Sequence, residues 1–61
     1  MTLYVVEGVL DELIQLGCST DKRVALFQAE QINKNGGIGY CHNEVFVTEY
    51  ESDEDNWIEF D

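Results

Sequence analysis

Residues Glu44 to Asp61 hold eight acidic side chains and no basic one. Any fold open to this chain has to hold those carboxylates apart and in water. Over all 61 residues, thirteen Asp and Glu oppose only Lys22, Arg23 and Lys34, for a formal net charge of −10. Small soluble domains are best served by a net charge of magnitude about 2–8, and charge beyond that repels itself and weakens the compact state. An acidic end without aromatic residues would read as solvated and disordered. Here Phe46, Tyr50, Trp57 and Phe60 interrupt the charges, which is the pattern of an ordered acidic surface that meets a partner.

The chain is long enough for one domain with a marginal core, because a domain this small buries only about 60% of its unfolded surface. Dimerisation, a metal or a disulfide would each help it. An apolar fraction of 44% is ordinary for a globular protein and argues against wholesale disorder. The apolar runs are far shorter than the roughly 20 residues that span a bilayer. The negative field repels anionic lipid and the nucleic-acid backbone, so neither a membrane nor direct nucleic-acid binding is expected. Met1 to Glu7 shows no basic n-region and no small-residue cleavage site, so no secretory signal is expected and the cytoplasm is the expected compartment. Thiols stay reduced there, which favours Cys18 and Cys41 as small packed hydrophobes. In an oxidising medium a bridge between them would close a loop of about 23 residues and add roughly 3 kcal/mol.

Thr2 to Gly8 is rich in β-branched and aromatic residues and reads as a strand. Leu13 to Cys18 reads as a second strand after a turn at Val9 to Glu12. Val9, Leu10, Leu13, Ile14 and Leu16 also fit helical spacing with Gly17 as a stop, so period alone leaves residues 9–17 open. Ser19, Thr20 and Asp21 supply a helix start, and Asn35-Gly36-Gly37 a stop, for a helix over residues 20–34. Val24, Ala25, Ala29 and Ile32 form its apolar face. Arg23, Glu30 and Lys34 form the opposite face, and Phe27, which falls toward that side, is expected to fold its ring back over the core edge. Residues 44–51 alternate as a third strand, and residues 57–60 read as a short terminal strand or an irregular lid.

The order strand, strand, helix, strand resembles a family of short uncharacterised bacteriophage proteins. The likeness is carried by Tyr4-Val5-Val6-Glu7-Gly8, by the run from Leu16 to Ala25, and by Val45-Phe46-Val47-Thr48-Glu49-Tyr50-Glu51. It implies a hairpin for residues 2–18, and with it an α+β, ββαβ domain: one antiparallel sheet with the helix on one face. It implies no activity. Cys18 stands where a larger apolar residue is common in the family, and the acidic extension to Asp61 goes past the pattern.

Catalytic motifs are missing. His42 and Cys41 are adjacent, and adjacent residues on an extended chain point to opposite sides, so they do not make a nucleophile pair. A zinc site from Cys18, Cys41, His42 and a carboxylate lacks the paired ligand spacings. Glu51, Asp53, Glu54 and Asp55 lack the spacing of a calcium loop, and Gly36-Gly37-Ile38-Gly39 lacks the continuation of a phosphate loop. The expectation is a protein with no enzymatic activity, no metal and no cofactor.

Alternation puts Val45 and Val47 on one side of the last strand and Phe46, Thr48 and Tyr50 on the other, with Leu3 and Val5 opposite Tyr4 and Val6 on the first. One helix covers one sheet face, so Tyr4, Val6, Phe46 and Tyr50 are expected on the uncovered face, open to a second copy or a partner unless Trp57, Ile58 and Phe60 fold across it. Glu49, Glu51 and Asp53 are expected as an anionic row. Together with Glu54 and Asp55 they would stand in for phosphates, while Tyr50, Trp57 and Phe60 anchor the contact. The function that follows is that of an inhibitor; the resemblance implies that it is phage-encoded, and so that it acts in the cytoplasm of an infected bacterium. It would block a host protein with a basic nucleic-acid-binding surface: a CRISPR effector, or a restriction, repair or transcription enzyme. A homodimeric interaction protein without inhibitory function is the alternative, and a metal- or thiol-dependent regulator a further one.

Overall fold

A computed structural model describes residues 1–51 as three strands and a helix: β1 (Thr2–Val9), β2 (Leu13–Ser19), α1 (Lys22–Lys34) and β3 (Phe46–Glu51). The sheet is antiparallel with the order β2-β1-β3. This is the expected ββαβ architecture, and residues 9–17 take the hairpin rather than the helical alternative. Asp53, Glu54, Asp55, Trp57, Ile58 and Phe60, with the expected terminal strand or lid, lie outside the described residues.

β1 is central because its composition suits burial on both faces. Leu3, Val5, Val6, Glu7 and Gly8 are all buried. Val6 packs with Ala25, Ala29 and Val45 beneath α1, and Tyr4, Leu16, Ile32, Ile38 and Val47 border that cluster. Leu3, Val5 and Cys18 form a second cluster on the other side of the sheet, joined by Tyr50. The alanines at the helix contact are small, which lets α1 lie close to the sheet.

The helix starts two residues later than expected. Ser19 still belongs to β2, and its Oγ accepts a hydrogen bond from the Asp21 amide at 3.0 Å. Asp21 is the cap, its carboxylate accepting from the Arg23 amide at 2.9 Å. At the other end the Asn35 and Gly37 amides donate to the carbonyls of Gln31 and Ile32 at 3.1 and 2.8 Å. Phe27 does not fold over the core edge; it is 56% exposed. It sits in a shallow recess with Asp21, Arg23, Val24 and Gln28, because the contact face runs through Ala25 and Ala29 and leaves position 27 on the far side of the helix.

Two local devices shape the sheet. In the β1–β2 ladder Val6 pairs with Gly17 but Glu7 pairs with Gln15, so Leu16 is an extra residue on β2. Such a bulge breaks strict alternation. Leu16 thereby packs under α1 although Cys18, two residues on, packs on the opposite side. The second device is Asn33, whose amide nitrogen donates to the Val45 carbonyl at 3.0 Å while its oxygen accepts from the Val45 amide at 2.7 Å. A helical side chain thus satisfies both backbone groups of the residue that leads into β3, as a neighbouring strand would.

The β1–β3 register corrects the expected faces. Val6 pairs with Val47 and Leu3 with Tyr50. Tyr4 and Val6 therefore lie on the side covered by α1, and Val6 is fully buried. They do not share a face with Phe46 and Tyr50. Directly opposed residues on antiparallel strands point the same way, so the offset between strands decides the grouping, and alternation within each strand does not.

Candidate acidic edge and the buried carboxylate

β3 is an edge strand, and it presents the only part of the expected acidic row that falls within the described residues. Glu49 and Glu51 alternate onto one side, about 6.6 Å apart along the strand, and both are exposed. Glu44, just before the strand, is exposed as well. Glu51 is held from within the chain: the Thr2 hydroxyl donates to it, and the Met1 ammonium lies 3.9 Å away. The register explains this, since Thr2 stands directly across from Glu51. Among the described residues Glu44 and Glu49 make no ion pair.

The cations lie on a different element from these acids, although Lys34 lines one shallow cleft with Val45, Phe46 and Val47. Lys22 and Arg23 open α1, Lys34 closes it, and the chain has no other Lys or Arg. Arg23 lies 3.8 Å from Asp21, with its side chain almost entirely in solvent. The three strands, the hairpin turn and the loop of residues 35–45 contain no basic side chain apart from His42.

Sequence reasoning missed Glu7. Its carboxylate is buried in the middle of β1, on the face away from α1. The Tyr50 hydroxyl donates to it, lying 3.0 and 2.9 Å from its two oxygens, and Gln15 Nε2 donates at 3.4 Å. The bulge at Leu16 is what places Gln15 opposite Glu7. No Lys or Arg belongs to this cluster. A signal was present in the sequence: a charged residue inside a strand read as apolar on both faces has to find hydrogen-bonding partners.

Tyr50 therefore has an intramolecular task that was not expected. Its hydroxyl faces inward, and the half-buried ring joins Leu3, Val5 and Cys18. The hydrogen bond to Glu7 raises the Tyr50 pKa above its ordinary value, with desolvation and the Glu7 charge adding to the effect and Gln15 opposing it. A folded pKa above the unfolded value gives stability that is complete below pH of about 10 and lost as pH rises through the folded value. A titration of tyrosinate absorbance should accordingly show a late component that disappears in Tyr50→Phe. A titration curve that Tyr50→Phe merely scales down, with no late part lost, would contradict the assignment.

His42 and Cys41 lie in the turn of a small loop hairpin, in which Ile38 and Asn43 exchange backbone hydrogen bonds of 2.9 Å. His42 has a positive φ of 54°, and its Nδ1 donates to the Gly36 carbonyl at 3.0 Å. The ring is thus a brace across the loop. Cys41 is exposed, Cys18 is buried, and no disulfide joins them. Among the described residues no three of His, Cys, Asp and Glu are placed to hold a metal ion, and no helix is long and apolar enough to cross a membrane.

Comparison of the chain with protein-family models, characterised proteins and solved structures finds no match.

Proposed function

We propose that this is a small binding protein, not an enzyme, whose acidic edge engages a basic surface of a partner protein in the place that nucleic acid would occupy. The observation that carries the reading is exposed, unpaired acid along β3: Glu44 and Glu49 make no ion pair among the described residues, and the sheet itself carries no Lys or Arg, every one of which belongs to α1. In sequence that edge runs straight on into Asp53, Glu54 and Asp55. Carboxylates on alternate residues of an extended strand form a regular anionic row about 6.6 Å apart, and lysine or arginine pairs with carboxylate as it does with phosphate. An inhibitor encoded by a bacteriophage against a host nucleic-acid-binding enzyme is the setting that fits, and charge steering would speed its encounter with such a target.

Exposed ion pairs are individually worth about 0–1 kcal/mol, so a single neutralised acid should change little. A variant with Glu44, Glu49 and Glu51 changed to Gln and Asp53 and Asp55 changed to Asn is expected to lose about tenfold or more in affinity for polylysine, an effect that added salt erases. Nucleic acid should compete for the natural partner. Equal binding by the two proteins at low and high salt would reduce the acids to a solubilising surface.

A further inference from the structure

We infer that the open end of the sheet face opposite α1 is a docking site for an amphipathic helix of the partner protein, one whose apolar stripe is flanked by lysine or arginine. The inference rests on the reading of a cationic partner and adds a second, apolar contact to it. Both ends of this face are apolar but they differ in exposure. Leu3, Val5 and Cys18 at one end are closed to solvent, whereas Val9, Leu13 and Phe46 at the other are 48%, 53% and 45% exposed. The register brings these three together. Val9 pairs with Leu13 across the β1–β2 ladder, and Phe46 stands opposite Glu7, the residue of β1 that shares this face with Val9.

Each of the three strands therefore contributes one half-exposed apolar side chain to a single patch. Two interstrand spacings span about 9.6 Å, close to the roughly 10 Å width of a helix with its side chains. The other side of the sheet already carries one helix in this way, and a second would complete a three-layer arrangement. The rim selects the chemistry of the occupant. Asp11 and Glu12 in the hairpin turn and Glu44 before β3 are all exposed, and the sheet contributes no Lys or Arg to offset them. An apolar stripe at i, i+3, i+4 and i+7 with basic flanks satisfies both the patch and its rim. A second copy of the chain would satisfy the patch alone, and would bring two net charges of −10 together.

The test uses the full chain and two probes, a synthetic amphipathic helix of Leu and Lys and an unstructured polylysine of equal charge. The wild type should bind the helix at least about tenfold more tightly than polylysine. The uncharged double variant Val9→Thr/Leu13→Gln should lose that preference while binding polylysine as before, because both positions are exposed and the charge is unchanged. Equal affinity of the wild type and the double variant for the helix would overturn the docking site and leave the acidic edge standing, provided polylysine binding stays salt-dependent. Failure to bind either probe would sink both readings. Concentration-dependent dimerisation that the double variant abolishes would assign the patch to a second copy. A change in Trp57 emission caused by the double variant alone would assign it to residues 52–61. Either result overturns the inference.

Discussion

Tyr50→Phe is expected to be among the most damaging conservative substitutions in the chain. The change removes a single oxygen, but it takes from the buried Glu7 carboxylate the donor that lies 3.0 and 2.9 Å from its two oxygens. Only the Gln15 amide, at 3.4 Å, then remains of that cluster. Depriving a buried carboxylate of its main donor costs about 2–3 kcal/mol, a large share of the roughly 3–5 kcal/mol that a core of this size supplies. The penalty belongs to the stranded charge, so removing the charge should relieve it. Replacing a whole buried polar cluster with apolar groups of similar volume is commonly neutral or stabilising, and Glu7→Leu/Tyr50→Phe is expected to recover most of the loss. Urea denaturation of the two variants decides the matter. A double variant no more stable than Tyr50→Phe would show that the ring's packing, and not the carboxylate, controls this site.

Gly37→Ala should be comparably severe for a reason confined to the backbone. Gly37 has a φ of +74°, and a Cβ there would stand 2.3 Å from the Asn43 carbonyl oxygen and 2.9 Å from that of His42. Neither atom can yield without opening the Ile38–Asn43 bridge. The left-handed conformation costs a non-glycine residue about 1–2 kcal/mol, and losing the bridge brings the total to about 2–4 kcal/mol. Gly39 is the matched control. It has the same φ of +74°, but its added Cβ would meet the end of the Leu10 side chain, at 2.5 Å, which can rotate away. Gly39→Ala should therefore show the conformational cost with little else. Equal losses in the two variants, measured by thermal unfolding, would mean that the contact with Asn43 yields freely.

What the sequence revealed about this fold, and what it hid, follows from the range of the interactions involved. The strand character of Thr2 to Gly8, the Asp21 region as a helix start and the Ala25–Ala29 contact face are written in neighbouring residues and were legible. The register of β1 against β3 was not, because it depends on the offset between segments about forty residues apart. A shift of one position exchanges the two faces, which is why Tyr4 and Val6 were expected on the wrong one. The bulge at Leu16 was equally hidden: Leu13 to Ser19 alternates acceptably without it, and only pairing with Glu7 reveals the extra residue. For the candidate site, Glu49 and Glu51 were legible as exposed acids. The capture of Glu51 by Thr2 and the inward turn of Tyr50 were not, since both depend on the same long-range register.

The strand order has a consequence for how the protein is made. β1 leaves the ribosome before the other two strands, and β2 can pair with one of its edges soon afterwards. Its other edge, which meets β3 through the pairing of Thr2 with Glu51, stays bare until almost the whole described chain has been synthesised. An unpaired edge is a template for pairing with another chain, and Leu3, Val5 and Val6 make this one apolar on both faces. Val45 docks on the Asn33 side chain, which the helix holds in place, so β3 is expected to close after α1 has formed. The nascent domain thus depends on helix formation to bring in the strand that protects β1, and crowded polysomes are the setting in which a weakened Asn33–Val45 link is expected to show itself first, as aggregation.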